Sequence, residues 1–114
     1  MTDVVINDDF GGFGLSNQAI ERLFELKNWK LIKQDRDTGV TFYYKESIDN
    51  YNLFDEYALP RDDSDLVQVV KELGEKANNR FSSLKIVNIP DDVKWHINEY
   101  DGKEHIAEDH RTWY

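Results

Sequence analysis

Apolar and polar positions alternate between two periods along this chain. Val4-Val5-Ile6 is a short β-branched run of the kind that lies in a buried strand. Ile20, Leu23 and Phe24, widened by Ala19 and Leu26, form a stripe at helical spacing, which predicts a helix over residues 17–27. Ser16 is its expected N-cap, Leu15 and Ile20 a hydrophobic staple across that cap, and Asn28 the stop. Residues 29–33 and 40–44 read as strands joined at Asp37-Thr38-Gly39. Residues 46–61 lack steady periodicity and predict an ordered loop anchored by Leu53, Phe54 and Tyr57. A second helix follows from Leu66, Val69, Val70, Leu73 and Ala77, with Asp62 or Ser64 as cap and Asn78-Asn79 as exit.

The last third predicts a strand over Leu84–Ile89, a turn at Pro90-Asp91-Asp92, and a hairpin of residues 94–100 with 103–108 closed by Asp101-Gly102, a favoured type I′ pair. A two-residue loop sets Ile97 opposite Ile106 with Trp95 on the same face, whereas a slip of one residue would split these apolar groups between faces. The same register puts Glu99 against Glu104, and His96, Asn98, Tyr100 and His105 on the other face. The expected fold is α+β or α/β: two helices packed on one face of a sheet of about five strands, ending in a C-terminal β-hairpin. With 114 residues the chain suits one domain, 1–114, with one modest core.

Composition narrows the function classes. The chain has no cysteine, so disulfides and thiolate metal sites are excluded, and it has no apolar run long enough for a signal peptide or membrane span. The cytoplasm is the expected compartment, and no membrane partner is expected. A net charge of −9 opposes direct nucleic-acid binding, which depends on cations displacing counterions from phosphates. The acidity is spread: residues 1–60 hold 6 basic and 11 acidic side chains, and residues 61–114 hold 8 and 12. Solubility explains such a balance, and attraction to a basic partner is the sharper alternative.

Three segments hold candidate chemistry. "DDFGGFGLS" places glycines between a strand and a helix N-terminus, an arrangement that can bind phosphate through free amides and the helix dipole. Its spacing matches neither GxGxxG nor GxxxxGK[ST], no lysine follows, and Asp8-Asp9 would repel an anion. The other readings are a tight corner with Phe10 and Phe13 in the core, or an exposed aromatic contact surface. His96, His105 and His110 lie among Glu99, Glu104, Glu108 and Asp109 without HxH or HExxH spacing, so a solvated sheet face is expected there in place of a metal or acid–base site. No metal and no cofactor are expected, and no nucleophile–base pattern is visible. The tail "EDHRTWY" ends on large aromatics that either dock on the domain or serve an interface. The candidate binding residues are Phe10, Gly11, Gly12, Phe13, Gly14, Arg111 and Trp113.

The segments "VVINDDFGGFGLSNQAIE", "DLVQVVKELGEKANNR" and "LKIVNIPDDVKWHINEYDGKEHIAEDHRTWY" together resemble a family of short proteins encoded by bacteriophages, prophages and some bacteria. The likeness rests on the aromatic-Gly-Gly-Phe-Gly-Leu-Ser opening, a Glu-Leu-Gly-containing helix, and a Glu-Tyr-Asp-Gly hairpin ending in His-Arg-x-Trp, and it spans the chain apart from residues 29–60. Asp9 stands where members often have cysteine, so thiol chemistry is not carried over, and Asn79 stands where they often have glycine. The resemblance implies context, with no established activity: a small acidic protein of a phage or mobile element, in the host cytoplasm. The expected function is non-catalytic binding or inhibition of a host protein or nucleic-acid-processing complex. The alternatives are a binder or hydrolase of a small nucleotide-like ligand at the glycine loop, and a homodimeric structural or accessory protein.

Overall fold

The run Val4-Val5-Ile6 lies at the centre of the molecule, buried on both sides. The computed structural model describes residues 1–35, 41–48 and 51–108. In chain order the elements are β1 (Thr2–Asn7), α1 (Asn17–Leu26), β2 (Ile32–Asp35), β3 (Thr41–Tyr44), α2 (Ser64–Leu73), β4 (Leu84–Ile89), β5 (Trp95–Tyr100) and β6 (Lys103–Glu108), with 3-10 turns at Glu56–Ala58 and Gly74–Ala77. This is an α+β fold ending in a hairpin.

The described strands are divided among three antiparallel two-stranded ladders, β1–β4, β2–β3 and β5–β6, and do not join into one sheet of about five. The reason lies at the outer edge of β1. Its Val5 amide donates to the Arg61 carbonyl at 2.8 Å, and its Asn7 amide donates to the Glu104 carboxylate at 2.8 Å. A loop carbonyl and a side chain thus occupy the positions that a neighbouring strand would need, which also protects the edge.

One face of the β1–β4 ladder presents Val5, Leu84 and Ile86 to the apolar core, and α2 packs on both strands while α1 packs on α2. Phe24 of α1 gathers Trp29, Tyr43 and Phe54 around it, with ring centroids 5.3–6.1 Å apart. Phe54 anchors the expected loop in this way, whereas Leu53 and Tyr57 stay exposed. Residues 49–50 of that loop, and the expected turn at Asp37-Thr38-Gly39, lie outside the described residues.

The caps follow local chemistry. Ser16 Oγ accepts the Ala19 amide at 3.1 Å, and Asn28 leaves α1 at a φ of 56°. At α2 the cap is Asp63, where Asp62 or Ser64 was expected: its Oδ1 accepts the amides of Asp65 and Leu66, both at 3.0 Å. The exit from α2 is Gly74, at a φ of 56°, and Asn78-Asn79 is not the exit. Asn78 is extended, and its Oδ1 accepts the Leu84 amide. Lys27 joins the two helices by bridging Asp63 at 2.8 Å and Asp65 at 3.0 Å. Burial alone would raise the Asp63 carboxyl; the Lys27 ammonium and the α2 amides overcome it and hold the group below the usual carboxylate range.

The hairpin register is the expected one, with Ile97 opposite Ile106 and Glu99 opposite Glu104. Asp101 and Gly102 have φ values of 48° and 90°, as a type I′ turn requires. Trp95, Ile97 and Ile106 share one face as expected, but that face meets the core only in part: all three are half-buried and stand outside the main core cluster. β6 rests on β1 over the side facing away from the helices.

Candidate functional site

The polar centre of the molecule is built on Asn7, which directly follows the apolar run and is fully buried. Its Nδ2 donates to the carbonyls of Asp9 and Gly102 at 2.6 and 2.7 Å, and its Oδ1 accepts the Ser83 amide at 2.8 Å. One side chain thereby ties together the glycine loop, the hairpin turn and the entry to β4. Buried amides persist only when satisfied in this way.

Glu104, at 8% exposure, is the second anchor. Its Oε1 and Oε2 accept from the Arg61 guanidinium at 2.6 and 2.9 Å, a bidentate pair, and the guanidinium carbon lies 3.6 Å from the centroid of the Phe13 ring. A cleft of about 680 Å³ opens beside this pair, between Tyr57–Arg61 on one wall and Ile97, Glu99 and Gly102 on the other. Arg61 is held by Glu104 and Phe13, which gives it a structural role.

The glycine loop is packed against two other segments. A Cβ on Gly11 would collide with the backbone and Cβ of Phe81, and one on Gly102 would collide with the Gly12 nitrogen and the Phe10 carbonyl. Close backbone approach at Gly11 and Gly102 therefore brings residues 10–14, 79–82 and the hairpin tip together. Gly14 is buried, and its carbonyl accepts the Ser82 hydroxyl at 2.7 Å. Much of the polar backbone that an anion would need is already engaged. The amides of Phe10, Leu15, Ser16 and Ala19 donate to Asp9, Glu56, the Ala77 carbonyl and Ser16 respectively. Burial pushes the Glu56 carboxyl above the usual range despite the Leu15 amide it accepts.

The candidate residues separate clearly. Phe13 is 4% exposed and belongs to the core, whereas Phe10 is 58% exposed. Phe10 shares its surface with two aromatics that sequence reasoning did not single out as contacts, Phe81 at 61% and Tyr100 at 74%. Phe10 and Tyr100 line one groove, and the Phe81 backbone abuts Gly11. Lys103 stands 5.4 Å from the Phe10 ring centroid. Arg111 and Trp113 lie outside the described residues, as do Asp109 and His110.

His105 and Asn98 face each other at 3.4 Å on the exposed side of the hairpin, and Glu99, exposed, accepts the Gly102 amide. Among the described residues no group of three or more His, Asp or Glu side chains is placed to hold a metal ion. No described helix is long and apolar enough to cross a membrane.

Sequence reasoning missed Glu104 and Asn7. The solvated face expected around the histidines and glutamates is corrected at Glu104, which is buried in an ion pair with Arg61; a charge on the Ile97–Ile106 face was the signal that could have found it. The partner, Arg61, lies 43 residues away and has no local pattern to mark it. Compared with protein-family models, curated proteins and solved structures, the chain matches none.

Proposed function

We propose that this is a small acidic protein of a phage or other mobile element that acts without catalysis, by binding a host protein or a nucleic-acid-processing complex. One observation carries the reading: Phe10, Phe81 and Tyr100 are held exposed around the packed glycine corner, the Asn7 hydrogen bonds and the type I′ turn. Large aromatics on a rigid support are the usual anchors of protein interfaces, because they offer contact area at low cost in conformational entropy. The packed glycines favour this surface over a phosphate-binding loop, since they serve backbone contact between segments.

The test is a pull-down from host lysate with the tagged full chain and with Phe10→Ala and Tyr100→Ala variants. A stoichiometric partner should be retained by the parent and weakened by at least about 1–2 kcal/mol in each variant, as hot-spot aromatics show. Both variants should melt with the parent, because neither ring is buried. Undiminished capture by both would overturn the assignment of this surface.

A further inference from the structure

A groove of about 380 Å³ lies between β6 and the face of the β1–β4 ladder that points away from the helices. Glu104, His105 and Ile106, three consecutive residues, form one wall. Successive side chains of a strand point to opposite faces, so three in a row can line one groove only along the backbone edge. The opposite wall comes from Ile6 and Asp8 of the β1 side and from Lys85 and Val87 of β4, each pair spaced by two and therefore on one face.

Among the described residues the edge of β6 is open. A two-residue turn makes Tyr100 and Lys103 a hydrogen-bonded pair, and such pairs alternate along an antiparallel ladder, so the amide and carbonyl of Ile106 point away from β5. Among the described residues neither meets a backbone partner. Among the described residues the groove thus combines the unused amide and carbonyl of Ile106 with a floor of Ile6 and Val87 flanked by Asp8 and Lys85.

Building on the binding surface described above, we propose that β6 accepts an extended segment of the partner protein as a third strand of the hairpin sheet. The register of such a strand dictates its chemistry. Side chains turned inward lie beside Ile106 and over Ile6 and Val87, and must be apolar. Side chains turned outward lie beside Lys103 and His105 and are acidic, to pair with the Lys103 ammonium on an otherwise acidic chain. Asp8 holds Lys85 and Lys103 only loosely, at 3.5 and 3.8 Å, so both ammonium groups can turn to an incoming carboxylate. The partner is therefore recognised as an extended segment alternating apolar residues with Asp or Glu, bound by strand addition.

Panning a random-peptide library on the full chain, followed by titration calorimetry with an N-methyl scan of the enriched peptides, tests this without altering the protein. Enriched sequences should show the apolar–acidic alternation. N-methylation should weaken binding by about tenfold at every second position, where the amide faces β6, and leave the intervening positions nearly unchanged. Val87→Lys, on a half-buried surface position, should abolish the same binding. Equal sensitivity to methylation at successive positions would overturn strand addition, as would peptides that bind Val87→Lys normally. A peptide-free chain that sediments as a dimer and loses that state on Val87→Lys would assign the edge to a second copy and overturn the proposal. If Phe10→Ala weakens partner capture while the methylation pattern is absent, the aromatic surface stands and strand addition falls.

Discussion

The helical body and the C-terminal hairpin are held by different forces. Around Phe24 the body is apolar and aromatic, and Leu23, Leu66, Val69 and Val5 are fully buried beside it. The hairpin is fastened to that body chiefly through polar groups: Glu104 to Arg61 and the Asn7 amide, and Gly102 to the Asn7 side chain. Apolar burial is additive and tolerant of small shifts, whereas a buried ion pair depends on geometry and fails when one partner is lost. The molecule thus has a firm half and a half whose attachment turns on two residues.

The comparison can be broken most severely at Phe24. Phe24→Ala removes a ring that touches three others and should cost about 4 kcal/mol of stability, read by urea denaturation as loss of the whole cooperative transition. Glu104→Ala should cost about 3 kcal/mol, because it strands the Arg61 charge and the Asn7 amide. Hydrogen exchange should locate this second loss differently, with protection falling in β5 and β6 while α1 and α2 retain theirs. A joint Arg61→Met, Glu104→Met variant should recover much of the loss, since the charge left unpaired by the single change is then absent.

Ile97→Ala should cost only about 1 kcal/mol, in keeping with half-burial. A loss as large as that of Phe24→Ala would show that the hairpin shares the apolar core. Asp63→Ala removes the α2 cap and a partner of Lys27, and should cost about 1 kcal/mol. Because the folded state lowers the Asp63 pKa, this contribution is present above the unfolded value and is lost as pH falls through the folded one, so the variant and parent should converge in acid.

The smallest effect is expected at Glu56. Its pKa is raised by burial, so its carboxyl favours the fold below the unfolded value and loses that advantage as pH rises through the folded value. Glu56→Gln keeps an acceptor for the Leu15 amide without the charge. It should therefore be slightly more stable than the parent at neutral pH and equal to it in acid, by thermal unfolding.

Local structure was legible in the sequence in both halves, because its information lies in neighbouring residues. The spacing of Ile20, Leu23 and Phe24 marks a helix, Ser16 and Asn28 delimit it, and Asp101-Gly102 sets a register that the structure repeats. Phe10 and Phe13 were not separable, since two aromatics three apart in a glycine loop carry no period, and burial depends on the distant packing of Arg61 and Phe81. The cap of α2 was ambiguous for another reason: Asp62, Asp63 and Ser64 can all serve, and the Lys27 bridge favours Asp63. The division into three ladders depends on which groups occupy the edge of β1, a long-range matter that periodicity does not record.

That long range has a consequence for how the chain is made. β1 leaves the ribosome well before its partners: its ladder partner spans residues 84–89, and the carboxylate that closes its other edge is 97 residues downstream of Asn7. Val4, Val5 and Ile6 therefore lack their β4 cover until residues 84–89 have been synthesised, and the cost of closing so large a loop is met before those contacts form. The nascent chain exposes a β-branched segment during that interval, when aggregation competes with folding. The hairpin follows β4 in the chain and closes the outer edge of β1 only after that ladder partner has emerged.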